Sequence, residues 1–382
     1  MAAQKIIIDC DPGIDDALAL VLAHGSPDLE ILAITTVGGN VDLDRTTDNA
    51  LRLREFLGLR GVPVTPGSAG ALMRPRVNAA EVHGGSGLGG ALLPPPTLPP
   101  ADGHAADVIV ETLKADPGEV TLVAIGPLTN VALAVLREPR VAEWARGITI
   151  LGGSYTRGNF SPAAEFNIAA DPEAAAIVFG AGWTVTMIGL DVSRSATVTR
   201  AVVERMETMG RLGGGLLVPC VRFHGTITDD GGPAMHDACA IAHLIDPSLI
   251  TLVPAVVDVE TTGRFTSGMT VTDFAPRGRT PNALVGTSLD AGRFWDLLLD
   301  VYAGVAASIE AGGPAGPCAV TVRARPPRGR ATVLRPGTPR TRDRRGRAPR
   351  TWDRRGSGHA ASRTGPGARV SRRREGCGTP RR

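Results

Sequence analysis

Apolar and polar positions along the first 310 residues or so follow a pattern typical of strands that alternate with helices. The run "KIIID" predicts a buried strand, and "DDALALVLAHG" has helical spacing that ends at Gly25. "LEILAITTVGG" predicts a second strand, and "DLDRTTDNALRLREFLG" predicts a helix with a polar cap and a glycine stop. Because continuous runs of Ile, Val and Leu are buried on both faces, the alternation predicts an α/β fold with a mainly parallel, Rossmann-like sheet flanked by helices.

The same alternation continues downstream with two interruptions. Further strands are predicted in "EVTLVAIG", "GITILGG" and "TVTMIGLDV", with helices between them. Residues 195–247 look helical, strands return at 251–260 and 282–289, and a last helix follows. Residues 66–103 are rich in Gly and Pro and resist assignment. A long loop of this kind inside a compact domain is usually functional or mobile.

The net charge of +3 conceals a strong asymmetry along the 382 residues. Residues 313–382 contain 20 Arg and only three acidic residues, a net charge of +17, so residues 1–312 carry −14. The tail lacks apolar periodicity, which predicts a disordered extension after a single catalytic domain at 1–312. The tail is either a nucleic-acid-binding segment or a dispensable extension, including a frameshifted reading of GC-rich sequence. The acidic body itself would repel nucleic acid.

Cysteine usage and the start of the chain indicate the cellular compartment in which the protein works. The five cysteines include no CxxC pair, which argues against a disulfide framework and against a zinc site. The chain starts directly with a predicted strand instead of a signal peptide, and no apolar run approaches the ~20 residues that span a bilayer. These features predict a soluble cytoplasmic protein without a membrane partner.

Four carboxylates, Asp9, Asp11, Asp15 and Asp16, lie within eight residues, directly after the apolar run of the first strand. A helix cap explains one or two of them, but like charges a few Å apart repel by about 1 kcal/mol or more per pair. A divalent cation would offset this repulsion, and oxygen ligands without His or Cys favour Ca²⁺ or Mg²⁺. The alternative interpretation is a capped turn that faces water.

A second enzyme class also begins with D-x-D after an apolar strand. In phosphatases of the haloacid dehalogenase type the first Asp is the nucleophile, and Asp9-Cys10-Asp11 has this spacing. Such enzymes also need a downstream lysine, and Lys114 is the only lysine that follows the motif. The Pro12-Gly13 pair departs from their usual sequence. The phosphatase therefore remains an alternative.

Six motifs in order resemble those of the inosine–uridine-preferring nucleoside hydrolases, and together they cover most of residues 5–310. They are "DCDPGIDD", "ITTVGGN", "HGGSG", "IGPLTN", "GNFSPAAEFNIAADPEAA" and "MHDACAIAHLIDP". The resemblance implies the nucleoside hydrolase fold and hydrolysis of ribonucleosides to ribose and a free base. It also implies a homo-oligomer, either a dimer or a tetramer.

The resemblance implies a Ca²⁺ site whose ligands are Asp11, Asp16, Asp237 and the backbone carbonyl of Ile125. Asp11 would also accept the proton of the attacking water as general base. Five residues resemble the ribose ligands of the family: Asp15, Asn40, Asn159, Glu165 and Asn167.

The leaving base is expected to meet histidines. His236 matches a histidine that the family places near the departing base, and His83 is expected to approach the base as well. His224 stands where the family often has an aromatic residue, usually Tyr. A histidine there could donate a proton, since it titrates near neutrality. This departure leaves the preferred base open.

Overall fold

The seven strands predicted from the sequence form one sheet with two short strands that were not predicted, and the computed structural model of this nine-stranded sheet and its helices describes residues 2–312. Across the sheet their order is β3-β2-β1-β4-β5-β6-β9-β7-β8. In chain order the strands are β1 (Gln4–Cys10), β2 (Leu29–Thr36), β3 (Val64–Pro66), β4 (Val120–Ala124), β5 (Gly147–Leu151), β6 (Val185–Ile188), β7 (Ile250–Val259), β8 (Thr270–Asp273) and β9 (Ala283–Leu289).

Most neighbouring strands are parallel. The first six strands and β9 pair in parallel, and Asp9 at the end of β1 lies opposite Thr35 of β2 and Ala124 of β4. Only β7 runs antiparallel to its two neighbours, β8 and β9. The prediction of a mainly parallel α/β sheet is therefore confirmed, with an antiparallel edge that the sequence pattern did not indicate.

Helices occupy most of the segments between the strands. In chain order they are α1 (Ile14–Gly25), α2 (Leu43–Phe56), α3 (Ala80–His83), α4 (Ala105–Ala115), α5 (Thr129–Arg137), α6 (Val141–Trp144), α7 (Phe166–Ala170), α8 (Pro172–Phe179), α9 (Leu190–Ser193), α10 (Arg200–Glu207), α11 (Gly210–Leu212), α12 (Val218–His224), α13 (Ala238–Ile245) and α14 (Ala291–Glu310). A π-helical turn, Gly213–Leu217, joins α11 to α12, and a 3-10 turn, Pro247–Leu249, precedes β7. The helical character expected for 195–247 is thus broken into several short helices.

The sheet separates two apolar cores because successive strand residues point to opposite faces. Ile6 and Ile8 of β1 join the core beneath α1, α13 and α14, whereas Ile7 joins the core beneath α4, α5 and α8. The buried hydroxyl of Tyr302 in α14 donates to the carbonyl of Leu18 in α1 at 3.0 Å. This contact fixes the helix whose first turn carries Asp15 and Asp16.

The Gly- and Pro-rich segment 66–103 contains one short helix, α3, and buries Leu88, Ala91 and Leu93 in the core beneath α1. Hydrogen bonds join this segment to α8. The Leu72 amide donates to Asp171, the N-cap of α8, at 2.8 Å, and the Arg74 guanidinium donates to both carboxylate oxygens of Glu173. No described helix is long and apolar enough to cross a membrane. The predicted tail, 313–382, lies outside the described residues.

Candidate active site

A cavity of about 480 Å³ lies at the carboxyl ends of the central strands. This is the edge where parallel α/β sheets bind their ligands. Asn40 follows β2, Ile125 follows β4, and Leu151 ends β5. The lining residues are Asp15, Asn40, Asn78, Ala79, Glu81, Val82, His83, Ile125, Leu151, Asn159, Phe160, Glu165, Phe166, Asn167, His224, His236 and Asp237.

Five buried residues at the base of the cavity form what we call the floor. Asp15, Asn40 and Asp237 line the cavity, and Asp11 and Asp16 lie directly behind them, hydrogen-bonded to Asn40. Their positions are fixed by backbone amides. Asp16 accepts from the amides of Asp11 at 3.2 Å and Gly13 at 2.9 Å, which also caps α1. The Asn40 side chain donates to Asp16 at 3.0 Å and to the Asp11 carbonyl at 3.1 Å. These bonds hold Asp11, Asp16 and Asn40 of the floor together.

Three floor carboxylates, those of Asp15, Asp16 and Asp237, offer oxygens within 4.8 Å of one another. Burial, and then the charge of Asp15, raises the pKa of Asp16 to about 7. Burial and the neighbouring carboxylates raise the pKa of Asp237 well above its ordinary value. Burial also opposes ionisation of Asp15, but the nearby imidazoles of His83, His236 and His224 outweigh it and lower the pKa of Asp15. Such a cluster could bind a metal ion.

Asp11 lies beside this group of three, although its oxygens are not among those that meet within 4.8 Å. Its Oδ2 accepts from the Asn40 amide at 2.7 Å, whereas its Oδ1 is buried without a hydrogen-bond partner among residues 2–312. A Cβ on Gly126 would lie 2.7 Å from this Oδ1, so only glycine leaves room for the carboxylate. Burial, and then the charge of Asp16, raises the pKa of Asp11 well above its ordinary value. A buried carboxylate oxygen without a donor fits a cation.

The Ile125 carbonyl also reaches this part of the cavity. It accepts a hydrogen bond from the Asn167 side chain at 3.0 Å, and the same amide donates to the Leu151 carbonyl at 3.0 Å. A carbonyl oxygen has two lone pairs, so this bond leaves one free. The oxygen-only donor set fits a hard divalent ion such as Ca²⁺.

Asp9 lies beneath the floor and does not line the cavity. It is fully buried, and its Oδ1 accepts from the Thr35 hydroxyl at 2.5 Å and the Asn130 amide at 2.9 Å. Burial raises its pKa to about 7. Lys114 lies on α4 beside Glu111 and does not line the cavity either. A phosphatase nucleophile must reach its substrate, so the haloacid dehalogenase alternative is not supported.

The predicted ribose ligands all line the cavity, and two of them are held by backbone groups of the loop that follows β5 and of α7. Glu165 caps α7 and accepts three amides: Asn167 at 3.0 Å, Ile168 at 3.1 Å and Gly153 at 3.0 Å. The Asn159 carbonyl oxygen accepts from the Phe166 amide at 2.9 Å. Burial raises the pKa of Glu165.

The three predicted histidines also line the cavity. The His83 ring accepts at Nδ1 from the Ile14 amide at 3.1 Å, which ties it to the start of α1. The His83 and His224 rings lie edge to face with centroids 6.0 Å apart. His236 bonds the Ser193 hydroxyl through Nδ1 at 2.8 Å. Burial lowers the pKa of both His83 and His236.

We call the outer wall of the cavity the rim: the segment 78–83, Asn159, Phe160 and His224. Val82 and Phe160 are exposed for 45% and 48% of their surface. The Phe160 and Phe166 rings lie edge to face with centroids 6.0 Å apart. Sequence reasoning assigned no function to either phenylalanine, to Asn78 or to Glu81, because these residues lie in loops or very short helices that leave no periodic signal.

Two buried residues behind the cavity were also missed. Asn130 bonds Asp9, the Thr36 carbonyl at 3.0 Å and the Ser68 amide at 2.8 Å, so it joins β1, β2 and the Gly- and Pro-rich segment. Asn130 is the last residue of the motif "IGPLTN", and its place in that motif was the sequence signal that could have identified it. Ser193, the partner of His236, lies in no quoted motif.

Comparisons with known proteins identify the family. The family model described as "Inosine-uridine preferring nucleoside hydrolase" matches residues 6–296. The chain belongs to this family. The resemblance read from the six motifs is thereby confirmed. Curated members of the family are N-glycosyl hydrolases, and this chain is an enzyme of that kind.

Two curated relatives and one solved structure illustrate the similarity. The inosine-uridine preferring nucleoside hydrolase of Leishmania major is 43% identical over 303 residues, which are 78% of this chain and 96% of the relative. The pyrimidine-specific ribonucleoside hydrolase RihA of Salmonella gallinarum is 43% identical, over 78% of this chain and 98% of the relative. The structure titled "Plant nucleoside hydrolase - PpNRh1 enzyme" has a TM-score of 0.74 and 34% identity, over 78% of this chain and 99% of that one.

Proposed function

We propose that this protein is a Ca²⁺-dependent ribonucleoside hydrolase that cleaves the N-glycosidic bond to give ribose and a free base. One observation carries the proposal: the buried carboxylates of Asp15, Asp237 and Glu165 line the same cavity as three histidines, with Asp11 and Asp16 directly behind them. The names of the relatives support the substrate class, since they hydrolyse inosine and uridine or pyrimidine ribonucleosides. The names differ in the preferred base, so they support the ribonucleoside class and no single base.

We assign the metal ligands to Asp11, Asp16, Asp237 and the Ile125 carbonyl. The buried and unpaired Oδ1 of Asp11 supports this set, and so does the mutual approach of Asp16 and Asp237. Bound Ca²⁺ would compensate the negative charge of the floor, orient a water molecule and lower its pKa. Asp15 offers an oxygen to the same group, but its three imidazole neighbours also suit it to contact a ribose hydroxyl.

We assign the general base to Asp11. Its Oδ2 is held by the Asn40 amide, which fixes the plane of the carboxylate. The carboxylate accepts a proton from the attacking water while the C1′–N bond breaks. The reacting sugar develops the positive charge of an oxocarbenium ion, which the negative floor favours.

Ribose binding is assigned to Asp15, Asn40, Asn159, Glu165 and Asn167. Carboxylates and amides suit vicinal hydroxyls because they accept and donate in fixed directions. Glu165 accepts three backbone amides, which fix its orientation. Such a preorganised set can bind the flattened ring of the transition state more tightly than the ground state.

We assign the contact with the departing base to His236, and place His83 and His224 beside it. All three imidazoles line the cavity, and each has at least one nitrogen that can face a base nitrogen. His83 presents Nε2, because its Nδ1 accepts from the Ile14 amide. A hydrogen bond to the leaving base stabilises the negative charge that it acquires.

We further propose that residues 1–312 form the catalytic domain. The activity would serve nucleoside catabolism and the salvage of purine and pyrimidine bases in the cytoplasm.

The experiment that tests the function is ribose release from inosine, adenosine, guanosine, uridine and cytidine. Each nucleoside is incubated with the full chain in added Ca²⁺ and after chelation. Release that disappears on chelation and returns with Ca²⁺ supports the proposal, and the order of rates gives the base preference. Folded, Ca²⁺-loaded protein that releases ribose from none of the five would contradict it.

A further inference from the structure

Ser193 lies at the end of α9 and is completely buried. Its hydroxyl oxygen is 2.8 Å from Nδ1 of His236. Within residues 2–312 this imidazole nitrogen is the only side-chain or backbone partner of the Ser193 hydroxyl. A hydroxyl removed from water needs a partner, since an unsatisfied buried group costs about 1–3 kcal/mol.

The chemistry of the two groups decides which imidazole nitrogen carries hydrogen. A serine hydroxyl donates and accepts, so it can donate to the bare Nδ1 of a neutral imidazole or accept from Nδ1–H of an imidazolium. When the His236 ring is neutral, the buried Ser193 hydroxyl donates its hydrogen to Nδ1. Nδ1 then carries no hydrogen, so the ring hydrogen resides on Nε2. With a charged ring both nitrogens carry hydrogen. In either state Nε2–H is available to the cavity that His236 lines.

We propose that Ser193 is a positioning residue that holds the His236 ring with Nε2–H presented to the departing base. The inference rests on the proposed function of His236. In the neutral state Nε2–H donates a hydrogen bond to the base.

The same short segment also holds the opposite wall of the cavity. The next residue, Arg194, donates to the carbonyls of Arg157 at 3.1 Å and Gly158 at 2.7 Å, immediately before Asn159. Asp191 accepts from the Tyr155 amide at 2.8 Å. Residues 191–194 therefore contact both the leaving-group side and the ribose side. Ser193 reaches only His236, so its effect can be separated from a general loosening of the segment.

The test compares two substrates that differ in their need for help at the leaving group. One is the best ribonucleoside of the panel, and the other is 4-nitrophenyl β-D-ribofuranoside, whose nitrophenolate departs without protonation. Ser193→Ala should lower kcat on the ribonucleoside by about 10-fold and leave the nitrophenyl riboside within about 2-fold. Ser193→Thr, which keeps the hydroxyl, should retain more nucleoside turnover than Ser193→Ala.

Two controls sharpen the comparison. Ser195→Ala makes the same change two residues away on an exposed side chain and should alter neither substrate. Ser193→Ala introduced into His236→Ala should cause no further loss, because the partner is already absent. An equal loss on both substrates, or an additive loss in the double variant, would overturn the proposal in favour of a structural role.

A second readout does not depend on turnover. Long-range ¹H–¹⁵N correlation spectra of the full chain, labelled at its histidines and assigned with His236→Asn, report the tautomer of His236. The neutral ring should carry hydrogen on Nε2 in the wild type and become a mixture in Ser193→Ala. A wild-type ring with hydrogen on Nδ1 overturns the proposal. If the wild type hydrolyses neither substrate, the proposed function fails, and this spectrum alone decides the role of Ser193.

Discussion

The floor and the rim of the cavity differ in how firmly the chain holds them. Floor residues are at most 6% exposed, and amide and side-chain hydrogen bonds join the loop after β1, the start of α1 and the loop after β2. On the rim, Val82 and Phe160 are nearly half exposed, and among residues 2–312 the Asn159 side chain bonds only the amide of Phe166, seven residues away along the chain. The difference suggests a division of labour: the floor supplies chemistry common to all ribonucleosides, and the rim selects the base.

Replacing Asp11 should produce the largest effect, because it removes a metal ligand and the general base together. For Asp11→Ala we expect kcat to fall by about 10⁴-fold or more. Ribose release measures turnover, and calorimetric titration measures Ca²⁺ affinity. Asp44→Ala, on the exposed side of α2, is the matched control and should leave both unchanged. Near-normal turnover of Asp11→Ala would show that the general base lies elsewhere.

Gly13→Ala tests the point at which the floor and the rim touch. A Cβ on Gly13 would lie 2.5 Å from Nδ1 of His83 and 2.6 Å from the side-chain nitrogen of Asn40. Both side chains would have to move, and the Ile14 amide would lose its acceptor. We expect the free energy of unfolding to fall by about 2 kcal/mol.

Denaturant unfolding of Gly13→Ala checks this value. The control is Gly61→Ala, where an added Cβ has open space and should change stability little. Equal stability of Gly13→Ala and the wild type would show that the contact between floor and rim is looser than its geometry indicates.

The pH dependence of Ca²⁺ binding tests the floor alone. Burial and neighbouring carboxylates raise the pKa of Asp16 to about 7 and those of Asp11 and Asp237 well above the ordinary value, so the metal-free floor holds protons at pH 6. Ca²⁺ must displace them, and its affinity should therefore rise by about 10-fold or more between pH 6 and pH 8. Titration at several pH values measures this slope.

Stability should change with pH in the opposite direction when the metal is removed. Carboxylates whose pKa is raised on folding bind more protons in the folded chain than in the unfolded one. Their contribution to stability is present at low pH and is lost as the pH rises through the folded pKa of about 7. The chelated protein should therefore unfold at a lower temperature at pH 8 than at pH 6. Saturating Ca²⁺ should reduce or reverse this trend. A Ca²⁺ affinity that does not change with pH would argue against Asp11, Asp16 and Asp237 as its ligands.

The sequence pointed to the floor and the rim by two different routes. Asp11, Asp15 and Asp16 lie within six residues directly after β1, so chain connectivity keeps them close. Asn40 and Asp237 of the floor, and His83, Asn159 and His224 of the rim, were expected only because their motifs resemble those of the family. The parallel sheet was likewise predictable from apolar runs. In contrast, Asn130 meets Asp9 across 121 residues of sequence, and β8 is only four residues long. Pairings of this kind depend on tertiary packing and leave no periodic pattern.

His224 gives the most selective test of the rim. Its Nδ1 is buried without a hydrogen-bond partner among residues 2–312, and its ring lies near His83 at the end of α12. His224→Tyr introduces the residue that is usual in the family and exchanges an imidazole for a phenol. Since one hydrogen bond contributes about 1 kcal/mol, we expect the relative rates on the five ribonucleosides to change by about 5-fold. Ca²⁺ affinity and turnover of the nitrophenyl riboside should stay the same, because neither involves the base.

A changed Ca²⁺ affinity would mean that the floor and the rim are mechanically coupled. An unchanged order of rates on the five ribonucleosides would mean that the rim selects the base through other residues.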